Sequence, residues 1–138
     1  LSNYMGDKWL NIINKQGFFY SLEPIQNSIE IIKTLLNEGH EIFIISSPSN
    51  ENSVFDKYLW VKKYLPFFPI RNLILVGNKG NLLEKLNEGI LFDDCPEYIR
   101  KFKGTTVVMD MEYNREVDAD YRVNNWNDFY KIINKMRK

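Results

Sequence analysis

The stretch Gly89-Ile90-Leu91-Phe92-Asp93-Asp94 is an apolar run that ends on two adjacent carboxylates. The run predicts a short buried strand that carries both acids at its C-terminal tip. Ligand sites of α/β proteins lie at the carboxyl ends of parallel strands, and carboxylates are ligands that Mg2+ accepts beside a phosphate. Taken alone, the pair could equally cap the helix that begins near Pro96, because Asp is a good helix-capping residue.

Two other apolar runs also end in side chains suited to a phosphate group. Residues 42–45 lead into Ser46 and Ser47, and residues 73–76 lead into a loop that carries Lys79. Each of these endings has an ordinary alternative, because Ser-Pro is normal turn chemistry and a lysine in a Gly-rich loop can be solvated. Their common location at strand ends favours a phosphate-handling site.

Helical periodicity separates the predicted strands. Apolar residues recur at helical spacing over residues 25–36, with Gly39 as the helix stop, and again over residues 126–136. A fourth strand is predicted over residues 105–109. The helix after Ser53 is predicted to bury an apolar side made of Phe55, Tyr58, Leu59, Val61 and Leu65. Strands alternating with helices predict an α/β fold with a parallel sheet.

The whole-chain numbers exclude several classes of protein. A chain of 138 residues suits one compact domain, and 18 basic residues cancel 18 acidic ones, so no global field favours a nucleic acid polymer or an anionic membrane. The single cysteine, Cys95, excludes an internal disulfide, and no apolar run reaches the roughly 18–20 residues of a membrane span. His40 is the only histidine, which excludes a histidine-based metal site. We expect a cytoplasmic protein.

Taken in order, these segments resemble the 5'(3')-deoxyribonucleotidases of the haloacid dehalogenase-like (HAD) phosphatase superfamily. The resemblance covers nearly the whole chain and rests on segments that match successive family motifs: residues 17–24, 43–48, 56–61, 75–79 and 91–94, with Asn114 and the Trp126 helix as further counterparts. It implies a Rossmann-like three-layer fold with a parallel sheet. It also implies one domain over residues 1–138, in which residues 1–22 are a remnant of the cap and residues 23–138 are the core.

The family mechanism implied by this resemblance runs through an aspartyl-phosphate. An Asp at the tip of the first strand attacks the phosphoryl group of a nucleoside monophosphate, and a second Asp two residues later transfers protons. Mg2+, a hydroxyl and a lysine stabilise the transferring group. The resemblance assigns seven residues of this sequence to the site: Ser46, Ser47 and Lys79 for the phosphate, Phe18 and Phe19 for the substrate pocket, and Asp93 and Asp94 for Mg2+.

The sequence departs from the family pattern at the first motif. The chain opens Leu1-Ser2-Asn3-Tyr4-Met5-Gly6-Asp7-Lys8-Trp9, which contains neither an apolar strand nor Asp-x-Asp. Asp110-Met111-Glu112 follows a predicted strand, but its place in chain order matches a different family segment. We therefore expect the first strand and most of the cap to be missing, which would leave backbone groups of the neighbouring strands unpaired.

Three hypotheses follow from this departure. The first is an Mg2+-dependent nucleotidase whose N-terminal segment lies outside the sequence. The second is a catalytically inactive relative that binds a nucleotide, a metal or a protein partner. The third is an interaction module whose sheet edge pairs with another chain, as in a homodimer or a complex with a protein partner.

Overall fold

The structure is a computed structural model that describes residues 22–48 and 50–137. The chain divides into two compact units, Leu1–Gly77 and Asn78–Lys138. Phe18 and Phe19, together with the predicted cap remnant up to residue 21, lie outside the described residues. The single domain expected over residues 1–138 stays a prediction.

In the first unit, the described residues 22–48 and 50–77 form two α-helices and a two-stranded parallel sheet. Its elements, in chain order, are α1 Ser28–Asn37, β1 Ile44–Ser46, α2 Glu51–Tyr64, a 3-10 turn Ile70–Asn72 and β2 Leu73–Leu75. In the sheet, Ile44 lies opposite Leu73 and Ser46 lies opposite Leu75. The two strands therefore end side by side, and Ser46 occupies the carboxyl end of β1.

Helix α1 follows the apolar periodicity of its sequence. Ile31, Ile32 and Leu35 are buried, as expected for one stripe of an amphipathic helix. Gly39 has a φ of +94°, and the N–H of His40 donates to the carbonyl of Leu35 at 3.1 Å. This left-handed glycine ends the helix as the sequence predicts.

Helix α2 buries a different face from the one predicted. It begins after Asn50, whose side chain accepts the N–H of Ser53 at 2.9 Å, in a reciprocal capping box. Phe55 and Tyr58 are 62% and 41% exposed, so the predicted apolar side is wrong at these two positions. The buried stripe instead follows the three- and four-residue spacing of a helix and is partly polar: Ser53, Asp56, Lys57, Trp60 and Val61.

The second unit contains three parallel strands and three helices. Its elements are α3 Lys79–Glu84, β3 Ile90–Asp93, α4 Pro96–Lys101, β4 Thr105–Met109, a 3-10 turn Glu112–Asn114, β5 Tyr121–Val123 and α5 Trp126–Met136. The strand order is β3-β4-β5, with β4 in the centre. Parallel strands with intervening helices confirm the predicted α/β fold class. Strand β5 was not predicted, because it lies in a polar stretch and is three residues long.

Helices pack against both faces of this sheet. Phe92 and Val107 are register partners, and Phe92 stacks on Phe129 of α5 with ring centroids 4.0 Å apart. The next residue of β4, Val108, points to the other face and clusters with Ile99 of α4. Asp93 pairs in register with Val108 and therefore faces α4. The alternation thus directs the first acid of the pair toward the start of α4.

Within residues 22–48 and 50–137, no helix has both the length and the hydrophobicity that a membrane crossing requires.

Candidate active site

Asp93 joins the end of β3 to the start of α4. Its carboxylate is buried, and Oδ1 accepts the backbone N–H of Asp94 at 2.7 Å and that of Cys95 at 2.9 Å. The Cys95 N–H belongs to the N-cap residue of α4, and the Asp94 N–H lies one residue before it. Asp93 therefore orders the turn that leads into α4, and this occupies only one of its oxygens.

Lys79 contacts the other oxygen of Asp93. Its Nζ lies 2.8 Å from Asp93 Oδ2 and 4.9 Å from the centroid of the Tyr98 ring, and the residue is 1% exposed. Lys79 is the first residue of α3, and the side chain of Asn78 caps that helix by accepting the N–H of Asn81. The solvated-turn alternative for Lys79 is therefore wrong. Lys79 and the first acid of the pair therefore lie in contact within this unit, and their roles toward a phosphate and Mg2+ stay a prediction.

Asp94 is the acid with unused bonding capacity. It is 2% exposed; its Oδ2 accepts a hydrogen bond from the Tyr113 hydroxyl, and its Oδ1 is buried with no hydrogen-bond partner among the described residues. Burial, followed by the adjacent charge of Asp93, raises the pKa of Asp94 to about 8. An oxygen in this situation favours either a proton or a cation.

Asn114 fixes the backbone at Asp94. Its buried amide donates to the carbonyl of Asp94 at 2.9 Å and to that of Met109 at 2.8 Å, which ties the end of β4 to the residue after β3. Its Oδ1 accepts from Met111 N at 3.0 Å and from Arg122 at 2.9 Å. All four bonding positions of the side-chain amide are thus used to hold this turn.

In the first unit, Ser46 and Ser47 follow each other at the end of β1. Ser46 is buried, and its Oγ accepts a hydrogen bond from Lys57 Nζ at 2.5 Å. The Ser47 hydroxyl donates to the carbonyl of Gly77 at 2.9 Å. Lys57 was not singled out from the sequence, because a lysine in a helix is normally solvated. Its only sequence signal is its position on the same helical stripe as Trp60 and Val61.

Cys95 is adjacent to the acid pair but is poorly suited to be a nucleophile. Burial raises the pKa of its thiol above the usual value, and the charges of Asp93 and Asp94 act in the same direction. A raised pKa lowers the fraction of thiolate at neutral pH. This agrees with Cys95 as a small packing residue.

The described residues fit a magnesium ion through carboxylates, with waters and a substrate phosphate as further ligands. Among residues 22–48 and 50–137, no cluster of three or more His, Cys, Asp or Glu side chains could hold a metal ion. Mg2+ does not require such a cluster, because it keeps several waters and is usually bound by one or two carboxylates plus substrate phosphates. The buried Oδ1 of Asp94, which has no hydrogen-bond partner within the described part of the chain, is the oxygen best suited to it.

Comparison with known proteins identifies the family. Residues 4–138 match the family described as 5' nucleotidase, deoxy (pyrimidine), cytosolic type C protein. The chain belongs to this family. The resemblance to deoxyribonucleotidases of the HAD-like superfamily is thereby confirmed.

Individual members of the nucleotidase family are similar over most of the chain. A putative 5'(3')-deoxyribonucleotidase of Staphylococcus epidermidis is 28% identical over 130 residues, covering 94% of this chain and 70% of that protein. A 5'(3')-deoxyribonucleotidase of Bacillus subtilis is 30% identical over 116 residues, covering 83% of this chain and 64% of that protein. A putative 5'(3')-deoxyribonucleotidase of Bordetella bronchiseptica is 32% identical over 127 residues, covering 88% of this chain and 65% of that protein.

Proposed function

We propose that this protein is a Mg2+-dependent 5'(3')-deoxyribonucleotidase that hydrolyses the phosphate ester of nucleoside monophosphates. The observation that carries the proposal is the buried group formed by Lys79, Asp93 and Asp94 at the tip of β3. A lysine for an anion and carboxylates for a cation are two of the parts that phosphoryl transfer needs, besides a nucleophile. The relatives named above supply the substrate class, and the chain spans 70% and 64% of the first two.

Lys79 is proposed to stabilise the negative charge of the phosphoryl group. Its ammonium has three N–H donors, and the contact with Asp93 Oδ2 accounts for one of them. The ion pair also fixes the direction of the buried lysine side chain. A preorganised cation of this kind contributes more to a transition state than a mobile surface lysine does.

Ser46 and Ser47 are the phosphate ligands proposed for the first unit. Because a lysine ammonium can only donate, the bond from Lys57 uses an acceptor site of Ser46 Oγ and leaves the hydroxyl hydrogen directed elsewhere. Phe18 and Phe19 remain the proposed walls of the substrate pocket.

Asp93 and Asp94 are the proposed magnesium pair. Asp94 Oδ1 would coordinate the ion, whereas Asp93 holds Lys79 and the start of α4 beside it. A bound Mg2+ supplies Lewis-acid stabilisation of the phosphoryl oxygens. It would also replace the proton that burial favours on Asp94.

A second candidate is a binding protein without turnover. This hypothesis comes from the sequence analysis, in which the 138 residues show no apolar run followed by Asp-x-Asp. Such a protein would use the same side chains to bind a nucleotide or a protein partner. A cytoplasmic location, expected from the single cysteine, stays a prediction for either candidate.

Phosphate release from a panel of nucleoside monophosphates, with and without Mg2+, tests the proposal. We expect release that depends on Mg2+, is lost in Asp94→Asn, and is retained in the matched control Asp118→Asn. Asp118 is an exposed acid of the same unit, so its substitution replaces a carboxyl group by the same amide without touching the site.

Thermal unfolding with nucleotide and Mg2+ separates the two candidates. Stabilisation without phosphate release would favour the binding protein. Absence of both release and ligand-dependent stabilisation would overturn both, because the buried carboxylates would then have no ligand.

A further inference from the structure

The 3-10 turn Glu112–Asn114 contacts Asp94 at two different points. Asn114 donates to the main-chain carbonyl of Asp94, and the Tyr113 hydroxyl donates to its carboxylate Oδ2. The two residues are adjacent in sequence and about twenty positions away from the acid. One contact fixes the backbone of Asp94, and the other fixes the rotation of its carboxylate.

We propose that Tyr113 is a positioning residue that orients the Asp94 carboxylate for Mg2+. This inference rests on the proposed function, in which Asp94 coordinates the ion. With Oδ2 held by the tyrosine hydroxyl, Oδ1 is the oxygen presented as a ligand, and it is the buried oxygen that lacks a hydrogen-bond partner among the described residues. Hydrogen bonds to the ligating carboxylate commonly set both its geometry and the affinity for the metal.

The turn that carries Tyr113 is itself held in place by Arg122 of β5. The guanidinium donates to Asn114 Oδ1 at 2.9 Å, to the carbonyls of Asn114 and Val117 at 3.0 Å each, and to Asp110 Oδ1 at 2.8 Å. A planar guanidinium with several fixed donors is a rigid support. Tyr113 therefore contacts Asp94 from a braced turn, which is the property that a positioning residue requires.

The exposure of Tyr113 distinguishes its proposed positioning role from a contribution to the hydrophobic core. Tyr113 is 47% exposed, so its ring is not part of the buried core. The substitution Tyr113→Phe removes the hydroxyl and keeps the ring. It should therefore change the geometry of Asp94 with little effect on folding.

Titration of the metal alone tests the inference. Isothermal calorimetry with MgCl2 would compare the wild-type chain, Tyr113→Phe and the matched control Tyr58→Phe, which removes a hydroxyl from another partly exposed tyrosine. We expect Tyr113→Phe to weaken Mg2+ binding about 10–100-fold, in the range found for partners of metal ligands. The control should bind as the wild type does, and all three should share one unfolding temperature in chelator.

A spectroscopic readout distinguishes positioning from a general structural effect. The carbonyl 13C resonance of the Asp94 carboxyl group in the metal-free protein should shift in Tyr113→Phe and stay unchanged in Tyr58→Phe. Equal Mg2+ affinity of Tyr113→Phe and wild type would overturn the inference and leave the proposed magnesium site intact. Absence of Mg2+ binding in the wild type itself would overturn both.

Discussion

Lys79 and Asp93 form an ion pair in which both side chains are almost completely buried, whereas the other ion pairs of the described residues are partly exposed. Removing two charges from water is costly, and the pair is tolerated because each partner compensates the other. The bonds that Asp93 Oδ1 accepts from backbone N–H groups add to this compensation. The stability of the second unit should therefore depend on keeping both partners or neither.

We expect Lys79→Met to lower the free energy of unfolding by about 3–5 kcal/mol, because it removes the lysine that is paired with the buried Asp93 carboxylate. Urea unfolding measures this loss. The double variant Lys79→Met/Asp93→Asn is the control, and it should recover much of the stability by removing the isolated charge. Equal stability of Lys79→Met and wild type would contradict a buried ion pair.

Asp94 should make the metal-free protein less stable as the pH rises. Its pKa is about 8 in the folded chain and 3.8 in the reference state, so between these values the folded state holds a proton that the unfolded state has released. The contribution is complete below about pH 4 and decreases through pH 8, with a slope of at most about 1.4 kcal/mol per pH unit.

Urea unfolding in chelator between pH 5 and pH 8 measures this dependence. The stability of the wild type relative to that of Asp94→Asn should decrease as the pH rises, since asparagine does not titrate. A difference that stays constant over this range would show that the pKa of Asp94 is not raised.

At the residue scale, the sequence singled out part of the candidate site but not the residues that hold its side chains in place. Asp93, Asp94 and Lys79 could be singled out because each follows an apolar run, and strand ends are where ligands bind. Tyr113 and Arg122 gave no such signal, because their roles come from contacts across many residues of chain. A polar loop in a sequence does not show which of its side chains point back to the sheet.

At the scale of elements, strongly periodic segments were predicted best. Helix α5 was predicted with the observed bounds, 126–136, and β4 with 105–109. Strand β5 was missed because three residues are too few to show the hydrophobic periodicity of a strand. The face of α2 was mistaken because Asp56 and Lys57 are buried there, and sequence patterns assign charged residues to the solvent side.

Gly104, between α4 and β4, is predicted to be needed for its lack of a side chain. A Cβ at this position would lie 2.7 Å from the carbonyl oxygen of Gly89 and 2.6 Å from the Phe102 ring. Neighbouring backbone cannot yield easily, so Gly104→Ala should cost about 1–3 kcal/mol of stability.

Gly77→Ala is the matched control for this substitution. Apart from Gly77 and its two chain neighbours, no atom of the described residues lies within 4 Å of a Cβ built at this position, and the φ of Gly77 is not positive. Alanine should therefore be neutral or stabilising by up to about 1 kcal/mol. Chemical unfolding of both variants decides the matter, and equal stabilities would contradict the close packing at Gly104.

At the scale of the whole molecule, the balanced charge governs solution behaviour. The chain carries 18 basic and 18 acidic residues, and its sequence pI is about 6.8. Self-repulsion is smallest when the net charge is zero, so solubility should be lowest near this pH. Precipitation with polyethylene glycol from pH 5 to pH 9 measures the expected minimum, and a solubility that varies in one direction only would contradict it.

Arg122 supports the turn around Asn114, which contacts Asp94. During synthesis, the surroundings of the acid pair therefore cannot be completed before Arg122 has been made. Asp94 leaves the ribosome 28 residues before Arg122. At ordinary rates of translation this delay is about 1–6 s. During that interval the nascent chain contains Asp93 and Asp94 but lacks β5, the strand whose Arg122 supports the turn that contacts Asp94. The candidate metal site can therefore be completed only after Arg122 has been made, although Asp94 is made 28 residues earlier.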